Sequence, residues 1–221
     1  MEWTNEMTMM MVDGVRETLF MTLLSTIFGY LLGLPMGVAL AVTDKNGIRP
    51  NAVVYKILDV TANVVRSIPF LILLILIMPV TKLLVGRSYG TAATVVPLTV
   101  AAAPFIGRMI ESSLNEVDRG VIEAAQSMGA GNMTIIMRVL LVEARTSILV
   151  GVTIALGTIL GYSAMAGIVG GGGLGDIAMR YGYYRYEEEI MLVAVILLVV
   201  LVQIFQTLGM RMSVKLDRRQ R

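Results

Sequence analysis

The 221-residue sequence contains no cysteine and no histidine. The first absence excludes a disulfide bridge, a thiolate nucleophile and an iron–sulfur cluster. The second removes the commonest metal ligand and general base. Charged residues make up 15% of the chain, whereas about 25% is usual in a soluble domain. With a formal net charge of +2, nothing suggests a nucleic-acid partner, and we predict a chain that is no enzyme by itself and holds no metal or cofactor.

Apolar residues are abundant instead, at 56% of the sequence, and the mean hydropathy is +0.77. Residues 18–43 carry no charge over 26 positions, and about 20 apolar helical residues are enough to cross a bilayer. We therefore predict an all-α polytopic membrane protein that forms a single domain, residues 1–221. Its five transmembrane helices are placed at about residues 14–43, 53–83, 88–114, 132–165 and 189–212.

Glycines recur at helical spacing in two of these spans. Gly29, Gly33 and Gly37 repeat every four residues in the first span, and Gly157 and Gly161 do so in the fourth. Small residues at this spacing let a neighbouring helix approach the backbone closely. Both sets predict helix-packing faces.

The second span is the least regular of the five. It carries Asp59 and Arg66, so this half of the helix must face protein or water. Pro69 and Pro79 follow, and each removes a backbone donor that a helix needs. The sequence therefore predicts a disturbed helix here.

A glycine-rich segment, residues 167–175, follows the fourth span. Gly170, Gly172 and Gly175 satisfy the spacing G-x-G-x-x-G. A dinucleotide site is rejected because no βαβ unit surrounds the motif. We predict a flexible connection, used either as a hinge or for close backbone packing between two spans.

Residues 120–129 form a short polar stretch between long apolar runs. Read as a helix, the stretch places Val121, Ala124, Ala125 and Met128 on one face. If Gly120 is the N-cap, Glu123 lies at N3, and Gly129 suits the left-handed C′ position. We predict a helix of about two to three turns whose small side chains let another protein come close.

These residues resemble a known family. Glu-Ala-Ala-x-x-x-Gly at 123–129, followed by Val139–Leu141, resembles the EAA loop of permease subunits of ABC-type importers. In that family the loop forms a cytoplasmic coupling helix that docks on an ATPase subunit. The family pattern usually ends in Leu-Pro, and here Val142 replaces the proline. Five further segments resemble the methionine branch of these permeases: residues 66–70, 96–99, 103–106, 162–165 and 173–175.

The resemblance implies a type I ABC importer permease fold and a homodimer that forms the translocation pathway. It implies a separate ABC ATPase subunit that binds ATP and Mg²⁺, and an extracytoplasmic substrate-binding protein. It also implies a multi-pass protein of the bacterial cytoplasmic (inner) membrane, with methionine as substrate. The coupling residues are then Val121, Glu123, Ala124, Ala125, Met128 and Gly129.

Basic residues give the expected orientation. Of the 18 Lys and Arg residues, 13 fall on one side of the five predicted spans and 5 on the other. Because the cytoplasmic side of a membrane protein carries the excess, we predict an outside N-terminus and a cytoplasmic C-terminus. Residues 120–129 then lie in the cytoplasm.

Polar or flexible groups within uncharged helix are the candidates for the pathway: Ser67, Pro69, Tyr162, Ser163 and Met165. The two serines could equally bond to their own helices. Because no charged residue lies deep in the predicted core, we expect a weak, mostly water-filled transit site. A self-contained secondary transporter or channel is the alternative function, and a membrane-embedded enzyme is a distant third.

Overall fold

The computed structural model describes residues 4–216, and this part of the chain is helical without any β-strand. Four helices in it are long and apolar enough to cross a membrane. They are α1 (Asn5–Thr43), α5 (Thr91–Asn115), α9 (Arg145–Ala166) and α11 (Glu188–Leu216). Residues 14–43 of the first predicted span lie within α1, which extends nine residues further towards the N-terminus.

The second predicted span is broken. Helix α2 (Ala52–Ser67) and helix α3 (Phe70–Leu76) meet at an angle of 103°, and α4 (Met78–Val85) follows. The break lies at Ile68, which is extended, because the residue before a proline is disfavoured in helical conformation. Counted as one crossing, the bent pair brings the number of spans to five.

The centre of the fold is the contact between α1 and α5. A Cβ atom built at Gly33 would lie 2.6 Å from the Ala103 carbonyl oxygen, and one built at Gly37 would overlap the Gly107 carbonyl oxygen. The predicted glycine face of α1 therefore packs on the backbone of α5. Within the described residues, a Cβ atom built at Gly157 or Gly161 of α9 would meet no atom within 4 Å, so the helix-packing face predicted for α9 finds no neighbour in residues 4–216 and stays a prediction.

The connection between α5 and α9 holds four short elements. Helix α6 (Arg119–Ser127) comes first, and α7 (Asn132–Thr134) continues into a π-helix, Ile135–Leu140. Helix α8 (Leu141–Glu143) then leads to α9. The predicted span 132–165 is thus interrupted at Ala144, before the long apolar helix begins.

The glycine-rich segment packs closely against the first and third spans. A 3₁₀ turn (Gly167–Val169) leads to α10 (Gly173–Ile177) and a second π-helix (Ala178–Tyr183). The Gly173 amide donates to Glu17 Oε2 at 2.6 Å, and the Leu174 amide donates to Thr18 Oγ1 at 2.9 Å. Of the two expected uses, close backbone packing matches these contacts.

Candidate functional site: the short helix after the third span

Helix α6 begins one turn beyond the end of α5, and its N-cap is Asp118. The Asp118 carboxylate accepts a hydrogen bond from the Gly120 amide at 2.7 Å. Gly120 is therefore inside the helix, and the expected N-cap at this position is wrong. The physical reason is that aspartate offers a side-chain acceptor to the free amides of the first turn, whereas glycine offers none. Glu123 is accordingly two positions beyond N3.

The C-terminus of α6 is closed by glycine as predicted. Gly129 has φ +79, and its amide donates to the Gln126 carbonyl at 2.9 Å. The Ala130 amide donates to the Ala125 carbonyl at 3.0 Å. This pair of bonds is a Schellman motif, which sets the length of the helix and the direction in which the chain leaves it.

The predicted apolar face of α6 divides into an inner and an outer edge. Ala125 is 6% exposed and belongs to the core of this chain, where the neighbouring Ile122 also packs. Val121 is 43% exposed and Met128 is 81% exposed. Ala124 lies beside them and is also exposed. The outer edge is therefore apolar, has a small side chain at its centre and is accessible to another protein.

Two of the predicted coupling residues differ from these in chemistry. The Glu123 side chain is exposed, and so is the Gly129 backbone. Glu123 also lines a cleft of about 460 Å³ between α6 and the loop that joins α1 to α2. Lys45 and Asn46 line the loop side of this cleft. The surface around α6 therefore includes residues outside the sequence motif.

A π-helix supports α6 from behind. Within Ile135–Leu140, Ile135 is fully buried and Leu140 is 5% exposed, and both join the same core cluster as Ala125. Such π-helices are rare and occur frequently at functional sites. This support was not predicted, because apolar periodicity alone does not separate a π-helix from an α-helix.

A polar cluster that the sequence analysis did not predict joins α2 to α5. We call Tyr55, Asp59, Asn63, Arg108 and Glu111 the Arg108 cluster. Arg108 forms ion pairs with Asp59 and with Glu111, the latter at 2.7 Å, and it donates to Asn63 Oδ1 at 3.0 Å. The Tyr55 hydroxyl donates to Glu111 Oε1 at 3.2 Å. The sequence carries one signal for this cluster: Arg108 and Glu111 are three residues apart, a spacing that allows an ion pair within one helix.

The pathway candidates lie at two places, the break between α2 and α3 and the C-terminal end of α9. Ser67 is exposed and donates to the Asn63 carbonyl at 2.7 Å, and Pro69 is exposed beside it. Tyr162 stacks on Phe70 with a centroid distance of 4.6 Å. Ser163 is buried and donates to the Leu160 carbonyl at 2.7 Å, whereas Met165 is 49% exposed. Both serine hydroxyls thus bond to their own helices.

The residues described contain no group of three or more His, Cys, Asp or Glu side chains placed to hold a metal ion. The site is instead a short, doubly capped helix with an exposed apolar edge, carried by a bundle of membrane-spanning helices. This arrangement suits docking to another protein better than chemistry on a small molecule.

Comparison with known proteins agrees with this class. The family described as "binding-protein-dependent transport system inner membrane component" matches residues 33–221. This chain belongs to that family, and it is a multi-pass inner-membrane permease. The probable D-methionine transport system permease protein MetI of Vibrio cholerae is 50% identical over 95% of this chain and 93% of its own length. The corresponding protein of Escherichia coli K12 is 49% identical over 72% of this chain and 73% of its own.

Solved structures give the same fold. The permease chain in the inward-facing MetNI methionine ABC transporter superposes with a TM-score of 0.96 at 46% identity, covering 98% of this chain and all of that one. An amino acid ABC transporter crystallised with histidines superposes at 0.79 with 21% identity over 95% of each chain, which shows the fold alone. The predicted type I importer permease fold and the resemblance to the methionine branch are confirmed.

Proposed function

We propose that this chain is the membrane-spanning subunit of an ATP-driven importer of methionine, and that two copies of it form the pathway. The main support for the proposal is that the outer edge of α6 (Val121, Ala124, Met128) is exposed. Both ends of this helix are held by capping hydrogen bonds. A separate ATPase subunit docks there and binds ATP and Mg²⁺. The methionine substrate is supported by the names of relatives that match most of this chain.

An external binding protein supplies the substrate, and selectivity rests mainly on it. A methionine zwitterion needs its charges hydrated or hydrogen-bonded, because bare burial of charge is costly. The stacked pair Phe70–Tyr162 and the exposed Met165 are apolar or weakly polar groups, and the two serines bond internally. The proposed transit site is therefore weak, and tight methionine binding by the complex without the binding protein would contradict it.

Reconstitution tests the function as a whole. We expect the tagged chain to co-purify from its own membranes with an ABC ATPase, as two copies of each by native mass spectrometry. In proteoliposomes with the binding protein outside, the complex should take up labelled methionine only when ATP is enclosed. Uptake by this chain alone, driven by a sodium or proton gradient, would instead establish the self-contained secondary transporter.

The neighbouring alanines of α6 separate docking from folding. Ala124 is exposed and Ala125 is buried, so Ala124→Glu and Ala125→Glu place the same carboxylate on opposite edges. We expect Ala124→Glu to lower ATPase co-purification and uptake at least tenfold with an unchanged melting temperature. Ala125→Glu should destabilise the permease by about 3 kcal/mol, because it buries an unpaired polar group. Equal loss of melting temperature in both variants would contradict the outer edge as a docking surface.

The proposed orientation places α6 in the cytoplasm and the N-terminus outside. The chain has no cysteine, so Asn5→Cys and Ser127→Cys each create a single thiol at an exposed position. In intact spheroplasts, an impermeant maleimide should label position 5 only, and after lysis it should label both. Labelling of position 127 from outside would reverse the orientation and remove the basis for ATPase docking.

A further inference from the structure

The Arg108 cluster joins α2 to α5 through side-chain bonds. Tyr55, Asp59 and Asn63 repeat every four residues on one face of α2, and all three contact Arg108 or Glu111 of α5. Ala62 is the single buried residue of α2. In the described part of the chain, the side-chain hydrogen bonds that join α2 to α5 all lie in this cluster.

The cluster is sheltered enough for these contacts to matter. The side chain of Glu111 is 9% exposed, that of Arg108 is 19% exposed and that of Asp59 is 22% exposed. Partly buried ion pairs are screened less than surface pairs, and removal of one partner leaves the others without compensation. By contrast, the pair Asp13–Arg16 joins residues of one helix, with side chains 67% and 78% exposed.

The position of the cluster in the chain connects the docking helix with the pathway candidates. Helix α5 ends at Asn115, and only residues 116–118 separate it from α6. On the other side, α2 ends at Ser67, where the chain turns by 103° into α3. The first residue of α3, Phe70, then stacks on Tyr162 of α9.

We propose that the Arg108 cluster is the positioning link through which a displacement of α6 and α5 moves α2 and the bend at Ile68–Pro69. Arg108 is its centre, because it bonds to Asp59 and Asn63 of α2 and to Glu111 of its own helix. With the link intact, α2 follows α5 as a unit. Without the link, α5 moves while α2 stays in place, and the pathway no longer follows the displacement of α6. The role of α6 as the driven element rests on the proposed function.

Distance measurements in the assembled complex test the link directly. Spin labels at Ile57→Cys and Asn115→Cys report on α2 and α5, and both positions are exposed. In nanodiscs with the ATPase, we expect the same narrow distance distribution with and without ATP. Arg108→Gln should at least double its width, and Arg16→Gln is the control that removes an arginine from an ion pair within α1 and should leave it unchanged.

Transport measured on the unlabelled variants completes the test. Arg108→Gln should lower methionine uptake at least tenfold while ATP hydrolysis stays within twofold of the original complex, and Asp59→Asn/Arg108→Gln should be no worse than Arg108→Gln alone. If Arg108→Gln is not recovered in the membrane, Tyr55→Phe keeps every charge and should broaden the distances in the same direction.

Two outcomes are decisive against the proposals. A narrow distribution and normal uptake in Arg108→Gln would overturn the link. Absence of ATP-driven uptake by the original complex would overturn the proposed function, and the distance distributions would still decide whether the cluster holds α2.

Discussion

Two sets of glycines follow the same sequence pattern in this molecule and have different surroundings. In α1, Gly29, Gly33 and Gly37 face α5, and a Cβ atom at each would come within 3 Å of an α5 atom. In α9, no atom of the described residues lies within 4 Å of a Cβ atom built at Gly157 or Gly161. The spacing of four residues makes a helix approachable, but it does not say whether a partner is present.

The difference arises from what α5 offers to α1. The facing residues of α5 include Ala102, Ala103 and Gly107, so two small faces meet and the backbones approach. Ile106 and Ile110 fill the spaces beside the glycines and are fully buried or nearly so. The outward glycines of α9 have no such complementary face within the described part of the chain.

The largest expected effect comes from one large side chain placed on each glycine set. Gly33→Leu should abolish folding or cost about 3 kcal/mol, because overpacking forces backbone shifts and the Ala103 carbonyl and Ile106 lie against this position. Gly161→Leu is the matched change and should leave the melting temperature of the isolated permease within a few degrees. Equal destabilisation would show that α9 is also packed and would remove the contrast.

A double-mutant cycle tests which contact limits how closely α1 approaches α5 at Gly29. A Cβ atom at Gly29 would lie 2.9 Å from Ile106 Cδ1, and Ile106→Val removes that carbon. We expect Gly29→Ala and Ile106→Val each to cost about 1 kcal/mol, and the double variant to cost less than their sum. Additive losses in thermal unfolding would mean that the contact with Ala102 Cβ, at 3.1 Å, limits the approach instead.

The smallest effect is expected at Gly157. A Cβ atom there meets open space, and alanine is a better helix former than glycine by up to about 1 kcal/mol. Gly157→Ala should therefore keep or slightly raise the melting temperature of the permease. Gly37→Ala is the control, and it should lower the melting temperature because its Cβ would overlap the Gly107 carbonyl oxygen.

Local sequence signals predicted the short helix α6 and its C-terminal end, but not which of its edges is buried. The end of α6 at a left-handed Gly129 follows from backbone chemistry that acts over a few residues. The N-cap is Asp118, two residues before the predicted Gly120, because its carboxylate accepts a hydrogen bond from a free amide of the first turn. The burial of Ala125 could not be predicted, because it depends on the packing of Ile135 and Leu140 in the same core cluster.

The Arg108 cluster could not be predicted from local sequence signals. Arg108 and Asp59 are 49 residues apart in sequence, and Tyr55 and Glu111 are 56 apart. Charges near helix ends are common in membrane proteins, so each residue alone predicts only a solvated or paired group. Their meeting depends on which helices become neighbours, and α2 reaches α5 in this register because α2 turns away from α3 at Pro69.

Residue patterns along the chain were enough to predict the membrane class, the helical content, a disturbed helix at Pro69, the glycine end of α6 and the family resemblance. These properties depend on hydropathy, proline and glycine geometry and short motifs, all of which act within about one helix turn or one span. The patterns did not predict which glycines pack within the chain, which alanine of α6 faces outward or which charges pair. Those outcomes depend on contacts between helices distant in sequence, because burial and ion pairing are properties of neighbours in space.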